Sequence, residues 1–516
     1  MIDNITSRTP KADAQEISRA FAQRLHSIEL SYVVRERSDG PFLVFEIAAP
    51  AERFFRLLEQ TLEEIPEENQ FKERTTISRR SKSPPNRLAI PEAELLIATI
   101  SESLTIDRHS FEEDFFSRYT RSVTNLERQI TANANFLVYG RRGSGKSSLL
   151  AYAMNGLKEK EQPFAWVALQ TYAGRTDDAL IAGVLSECVD QLGAFISGAS
   201  ERVALASTLN DLASVRTGSV MRHIFNILPR VRTFFAQAVP TGGAFTIFLD
   251  DLHVLGVDQQ PRLLGAVYST TRGNRGFIKT SAIEQLCRPW DSASRTGLEP
   301  TQDIQLLKLD YNLTMPDRSK QHIVGILDAQ ARYCGMPDIN YLANDLALSR
   351  LVWVAAAVPR DAMNLFSIAV QKGIAKGERR VSATSVNAAA SEMAEAKLRE
   401  IDLDATSDRE KIIQSLERVK TFCVSQQRKN AFLVEIKNSD PLFQSIQKLI
   451  ALRLVHILHE GITPHEASRR YMALMLDYGF YVGIRAARSV DQFQTEPARI
   501  LAKDLRKLPV LPLETG

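Results

Sequence analysis

Asn135-Phe136-Leu137-Val138-Tyr139-Gly140-Arg141-Arg142-Gly143-Ser144-Gly145-Lys146-Ser147-Ser148 starts as a short apolar run and passes directly into a glycine-rich loop. Ser147 to Leu157 continues at helical spacing, so the stretch reads as strand, loop, helix. The loop from Gly140 to Ser147 fits G-x-x-x-x-G-K-[ST], a pattern whose glycines let backbone N–H groups turn inward around phosphate oxygens at a helix N-terminus. Lys146 is expected to reach the β- and γ-phosphates, and Ser147 to offer its hydroxyl to Mg²⁺. Gly140, Arg141, Arg142, Gly143, Ser144, Gly145, Lys146, Ser147 and Ser148 are therefore the expected nucleotide-binding residues, with ATP and Mg²⁺ as ligands.

A second stretch supports the first. Phe245-Thr246-Ile247-Phe248-Leu249-Asp250-Asp251 is an apolar strand that delivers two carboxylates at its C-terminal end, the side of an α/β sheet where ligands bind. Asp250 is expected in the Mg²⁺ shell, and Asp251 is expected to orient or deprotonate an attacking water. An Asp pair also ends strands and caps helices in ordinary structural roles; beside the glycine loop the nucleotide reading is the stronger. Further buried-type strands fall at 163–170, 277–283 and 304–311, alternating with helical segments. The pattern predicts an α/β fold, a P-loop NTPase parallel sheet with crossover helices.

Length and composition set the frame. At 516 residues the chain exceeds the roughly 250–300 residues at which single cores stop growing, so several units are expected. An apolar fraction of 44% and a charged fraction of 24% are those of a globular protein. No apolar run approaches the ~20 residues that span a bilayer, and the first thirty residues mix charges throughout, so a cytoplasmic location without membrane contact is expected. The four cysteines, Cys188, Cys287, Cys334 and Cys423, are widely spaced and form no C-x-x-C pair, which argues against zinc and a disulfide framework. A net charge of +3 is small, but between Lys72 and Arg87 six Lys or Arg face one Glu. That run reads either as solvated surface or as a phosphate contact.

The expected organisation is a small N-terminal α/β domain over 1–80, a linker over 81–95, the NTPase core over 96–315, a helical lid over 316–400, a winged helix over 401–490 and a tail over 491–516. The N-terminal domain rests on Glu29 to Val34 and Pro41 to Ile47, joined by Ser38-Asp39-Gly40 as a hairpin, and on a helix carrying Phe54, Phe55, Leu58, Leu62 and Ile65. Pro84, Pro85 and Pro91 punctuate the linker. After Pro316 the pattern is helical, with a sharp start at Pro359-Arg360-Asp361. Near the C-terminus a helix from Leu442 to Leu458 and a hairpin from Tyr471 to Ile484, turning at Asp477-Tyr478-Gly479, describe the winged helix.

The glycine loop, Asp250-Asp251, the strand from Phe277 to Glu284 and Val358-Pro359-Arg360-Asp361-Ala362 together resemble the AAA+ ATPases, and among them the initiator ATPases of the origin recognition complex type. The resemblance covers about Phe111 to Ile484. It implies that Arg360 is a sensor-two arginine touching the γ-phosphate from the lid, and that Ser281 or Thr280 takes the sensor-one place, where the family more often has Asn. It implies an arginine finger given to a neighbouring subunit in a homo- or hetero-oligomer, for which Arg295 and Arg288 are the candidates. Many relatives carry Glu where Asp251 stands; the shorter side chain falls ~1.5 Å, one C–C bond, further from a water, which implies slow turnover. A winged helix bearing Lys448, Arg453, Arg469, Arg470 and Arg485 suits duplex DNA. The expectation is thus an ATP-driven switch that couples nucleotide state to DNA or a partner protein, with a protein partner engaged through the N-terminal domain. The rival is a sensor or scaffold ATPase of a defence or signalling complex, acting by protein docking alone. An ABC-type subunit is disfavoured because no Leu-Ser-Gly-Gly signature occurs.

Overall fold

The computed structural model describes residues 9–104, 113–196, 199–214, 221–239, 243–309, 316–403, 409–463, 469–482 and 502–513. Helix α1 (Pro10–Arg24) begins at Thr9, whose hydroxyl accepts the Ala12 amide at 3.3 Å, with Pro10 in the first turn where a missing N–H costs nothing. Strands β1 (Tyr32–Arg37) and β2 (Gly40–Ile47) pair antiparallel across Ser38-Asp39. Helix α2 (Glu52–Glu64) buries Phe54, Leu58 and Thr61. Strand β3 (Thr75–Arg79) then runs parallel to β2, giving the order β1-β2-β3. The hairpin and α2 follow the sequence expectation. Strand β3 was hidden inside the basic run, where only Ile77 is buried and β-branched Thr75 and Thr76 are the strand signal.

The stretch read as a linker is anchored. Leu88 and Ile90 are buried, the Arg87 amide donates to the Arg379 carbonyl at 3.1 Å, and the Arg87 guanidinium lies 4.5 Å over the Tyr341 ring. Helices α3 (Pro91–Leu104) and α4 (Glu113–Arg118) follow.

Next come α5 (Leu126–Ile130), β4 (Phe136–Tyr139), α6 (Lys146–Lys158), β5 (Phe164–Ala168), α7 (Asp177–Leu192), α8 (Ala199–Ser214), α9 (Met221–Gln237), β6 (Phe245–Asp250), α10 (Gln259–Thr271), β7 (Gly276–Ala282), the two-residue strands β8 (Trp290–Asp291) and β9 (Thr296–Gly297), and β10 (Gln305–Lys308). Strands β4, β5, β6, β7 and β10 are the five that the sequence marks, and they form one parallel sheet in the order β10-β4-β7-β6-β5. Near-continuous burial along β4, β6 and β7 is what a parallel sheet covered on both faces requires. Between β5 and β6 the helices α7 to α9 pack through Leu185, Val189, Leu209, Phe234 and Phe235 onto the sheet residues Ala165, Val167, Phe245 and Ile247.

Beyond this sheet lie α11 (Pro316–Tyr333), α12 (Asp345–Val354), α13 (Pro359–Ala375), α14 (Ala383–Leu403), α15 (Arg409–Lys420), β11 (Ala431–Glu435), α16 (Pro441–Ala451), β12 (Val455–Ile462), β13 (Tyr471–Leu476) and α17 (Ala502–Leu505). The last three strands form a sheet in the order β11-β13-β12. Two expectations are corrected here. The helix expected to reach Leu458 stops at Ala451, because Arg453 takes a left-handed φ of 62° and Val455 opens a strand. Asp477-Tyr478-Gly479 is not a hairpin turn among the described residues: the Asp477 carboxylate accepts the Gly479 amide and caps a 3₁₀ turn, and β13 pairs instead with β11 and β12.

The chain forms two compact units, one of residues 1–120, 312–437 and 456–516, the other of 121–311 and 438–455. Within the first, the N-terminal sheet is bonded to the later helices. The Ala49 amide donates to the Gly335 carbonyl at 2.7 Å, and Arg53 lies 3.7 Å over the Tyr333 ring. Fully buried Glu92 accepts the Ala48 amide at 3.0 Å and pairs with Arg80 at 2.9 Å. Removing one partner of such a pair strands the other in a low-dielectric site, so Glu92→Ala is expected to lower unfolding free energy by about 3–5 kcal/mol, measured by denaturant titration.

Candidate nucleotide site

The site is built at the C-terminal ends of three adjacent parallel strands. Strand β4 delivers the glycine loop: Tyr139 is the last strand residue, its carbonyl accepts the Leu309 amide at 2.8 Å, and the Gly140 amide donates to the Ala282 carbonyl at 3.3 Å. Gly143 and Gly145 hold φ values of 82° and 96°, the left-handed region that a Cβ disfavours, and the Ser144 amide closes the turn on the Arg141 carbonyl at 3.1 Å. Gly140 is needed for a different reason, because a Cβ there would lie 2.4 Å from the Ser144 hydroxyl and 3.1 Å from the Leu309 carbonyl. Helix α6 starts at Lys146, so amides at its first turn have no intrahelical acceptor and point at the loop.

Lys146 is buried, its ammonium donating to the Arg141 carbonyl at 3.2 Å across the loop. Ser144 is also buried, and its hydroxyl has no hydrogen-bond partner among the described residues. A cradle of inward amides, a buried ammonium and an unpaired hydroxyl fits the oxygen-rich anion that a polyphosphate presents.

Strand β6 delivers Asp250 and Asp251, and β7, lying between β4 and β6, delivers Thr280 and Ser281. The two hydroxyls differ in what they do. Thr280 is spent on the Leu249 carbonyl at 2.8 Å. Ser281 donates to Asp250 Oδ1 at 2.5 Å and accepts the Asp251 amide at 2.8 Å, tying both acidic residues to the neighbouring strand. Ser147, from the glycine loop, also hydrogen-bonds the Asp250 carboxyl. Lys146, Ser147, Asp250, Asp251 and Ser281 are thus gathered at one place. Ser147 Oγ and the Asp250 carboxylate are the oxygen donors that would hold Mg²⁺, a hard cation that takes such ligands.

Burial and the Asp251 charge beside it push the Asp250 carboxyl up to about 6, against the lowering effect of Ser281, Ser147 and Lys146. Asp251 has a left-handed φ of 61°, a strained conformation for a residue with a side chain. Its neighbour His253, half-buried with 13% of its side chain exposed, sets Nδ1 3.8 Å from the Asp251 carboxylate. Desolvation lowers His253 to about 4, so the imidazole is neutral at pH 7. His253 was not singled out in the sequence; the only signal was a histidine two residues past the acidic pair.

The arginines fall in different places. Arg288 is engaged with Asp258 at 3.2 Å and with Asp291. Arg295 stands at the tip of the β8–β9 turn, exposed, with φ 52° and without an ion-pair partner among the described residues. Asp291 holds that turn through the Ser294 hydroxyl and the Ser294 and Ala293 amides. Arg360 belongs to the other unit, in the first turn of α13, where its guanidinium donates to the Leu104 carbonyl. Of the basic residues assigned to DNA, Arg453 is buried at 8% exposure, Arg469 and Arg470 are exposed, and Arg485 lies outside the described residues.

Residues 118–332 match the model of the KAP family P-loop domain. A comparison with curated proteins gives no match. Among solved structures the chain is similar to the ORC1 protein of Aeropyrum pernix in complex with DNA, at 14% identity over 74% of this chain and 96% of that one with a TM-score of 0.40. It is similar also to a Walker-type ATPase of Pyrococcus abyssi, at 12% identity over 75% and 99% with a TM-score of 0.39. The ORC2 protein of Aeropyrum pernix, as ADPNP-ADP complexes, gives 14% identity over 75% and 97% with a TM-score of 0.37. The matched domain, the five-stranded sheet and the glycine loop give this chain a P-loop NTPase fold over that region.

Two outcomes test the site. Gly140→Ala is expected to displace Ser144 and abolish nucleotide binding while far-ultraviolet circular dichroism stays unchanged. For Asp250 the folded pKa lies above the ordinary 3.8, so its contribution to stability is complete below that value and is lost as pH rises through about 6. Asp250→Asn keeps an acceptor for Ser281 without the charge. It is expected to stabilise the nucleotide-free protein by about 1–3 kcal/mol at pH 8 and by little at pH 4, read from urea unfolding at both.

Proposed function

We propose that this protein is a Mg²⁺-dependent ATPase that works as a slow molecular switch, coupling its nucleotide state to duplex DNA or to a partner protein. The observation that carries this reading is the convergence of Ser147, Asp250 and Ser281: a metal-binding hydroxyl, a metal-binding carboxylate and a hydroxyl at the sensor position share one hydrogen-bonded cluster. Bound Mg²⁺ supplies charge neutralisation at the phosphates. The chain's own groups do the rest: Lys146 holds the terminal phosphates, Asp251 orients the attacking water, and neutral His253 sits beside Asp251 without competing for its charge. The short Asp251 side chain is the reason turnover is slow. Lys146→Ala and Asp251→Ala are each expected to lower turnover about 100-fold or more, and the second to leave ATP binding intact. Unchanged turnover in Asp251→Ala would remove it from the chemistry.

Arg295 is the finger we assign between subunits of an oligomer, because it is exposed on a turn that Asp291 fixes, whereas Arg288 is committed to two carboxylates. Arg295→Ala is expected to lower turnover per subunit with ATP affinity retained, and mixing it with Asp251→Ala chains is expected to restore part of the activity. Parental turnover in both Arg295→Ala and Arg288→Ala would exclude a finger in trans.

For the partner, exposed Arg469 and Arg470 favour duplex DNA, while buried Arg453 removes one of the expected phosphate contacts and favours protein docking. Elution from a DNA column distinguishes these. A DNA-binding chain stays bound until salt releases it, whereas a protein-docking module leaves early. The cytoplasm is the proposed location, consistent with the absence, among the described residues, of any helix long and apolar enough to cross a membrane.

A further inference from the structure

The N-terminal sheet ends in a strand with one side open. Strand β3 pairs with β2 on one edge, and no strand pairs with its other edge among the described residues. An open strand edge is a row of backbone donors and acceptors ready to pair with another chain, and proteins usually blunt it. Here it is flanked by a groove. Helix α2 and β3 together line an open groove of about 430 Å³ whose apolar residues are Phe55, Leu58, Leu62 and Ile77. Phe55, a large aromatic at 46% exposure, stands on the open side of this groove next to the buried Leu58 and Ile77.

The rim carries a charge of one sign. Glu59 and Glu63 stand one turn apart on α2, and Glu73 lies just before β3. None of the three has an ion-pair partner among the described residues, while the one lysine of the groove, Lys72, is already held by Glu67 at 2.7 Å. The unneutralised charge of the groove is therefore negative. The geometry points to a docking groove for an extended basic peptide, which adds as a further strand to β3 and sets alternate apolar side chains under α2 while its Lys or Arg residues meet Glu59, Glu63 and Glu73. Main-chain pairing to the strand edge supplies affinity, and the period of two along a strand supplies the alternation that the groove reads. The five residues of β3 set the length of the bound segment at about five, some 17 Å. This site is independent of the nucleotide reading.

The test uses the full chain and a displayed library of random peptides about nine residues long. Enrichment of sequences that alternate apolar residues with Lys or Arg is expected. Synthetic peptides from that set, followed by fluorescence anisotropy, should bind tenfold or more weakly to Phe55→Asp and to the Glu59→Lys/Glu63→Lys double variant. Hydrogen exchange should slow at residues 75–79 when the peptide is bound, and proline at alternate peptide positions should abolish binding. All three substituted residues are exposed, and an unchanged thermal transition together with unchanged ATP binding verifies that each variant is folded. The proposal is overturned by enrichment of acidic sequences or of none. Equal binding to the variants, or binding without protection of residues 75–79, overturns it as well. Self-association in sedimentation that Phe55→Asp abolishes, with no peptide bound, would instead make the occupant a second copy of this chain.

Discussion

Strand β7 lies between the strand that carries the glycine loop and the strand that ends in Asp250, and this order governs the chemistry of the whole sheet. Adjacent parallel strands stand about 4.8 Å apart, so one intervening strand leaves a gap that a serine side chain on β7 can bridge. Ser281 does so, bonding the Asp250 carboxylate and the Asp251 amide, while Ser147 reaches the same carboxylate from the loop. A carboxylate at this depth is costly to ionise, and the two hydroxyls and Lys146 offset part of that cost. The remainder is an unfavourable charge that a divalent cation at this carboxylate would relieve.

The nucleotide core was legible in the sequence because its signals are local. The run from Asn135 to Ser148 states strand, loop and helix without reference to anything distant, and β4, β6 and β7 announce themselves by near-continuous apolar burial, whereas β10 buries only Leu307. The choice of Ser281 over Thr280 was not legible, since it depends on strand register: Thr280 turns to the Leu249 carbonyl, Ser281 to the acidic pair. His253 was missed because a single histidine carries no spacing to read. The early end of α16 was missed because nothing in Leu452-Arg453-Leu454 marks a helix stop; Arg453 there adopts a left-handed conformation without the glycine that usually supplies it.

The first unit shows what sequence patterns cannot carry. Its sheet and helices come from segments more than two hundred residues apart, joined by Arg53 on Tyr333 and by the Ala49 amide on the Gly335 carbonyl. The same unit contains a second buried network, in which Lys397 pairs with Asp477 at 2.7 Å and His456 with Asp477 at 2.9 Å, tying α14 to the C-terminal sheet. Burial would raise the Asp477 carboxyl, but Lys397 and His456 outweigh it and hold the group far below its ordinary range. The sequence reading places Asp477 in a turn and assigns Lys397 and His456 no role; the fold buries all three.

The most direct measurement is an equilibrium titration of the protein with a fluorescent ATP analogue, with and without Mg²⁺, on the parental chain and on Lys146→Ala. One site per chain is expected, weakened on removing Mg²⁺ and lost in the variant. Binding that is indifferent to both Mg²⁺ and Lys146 would contradict a nucleotide site at the glycine loop.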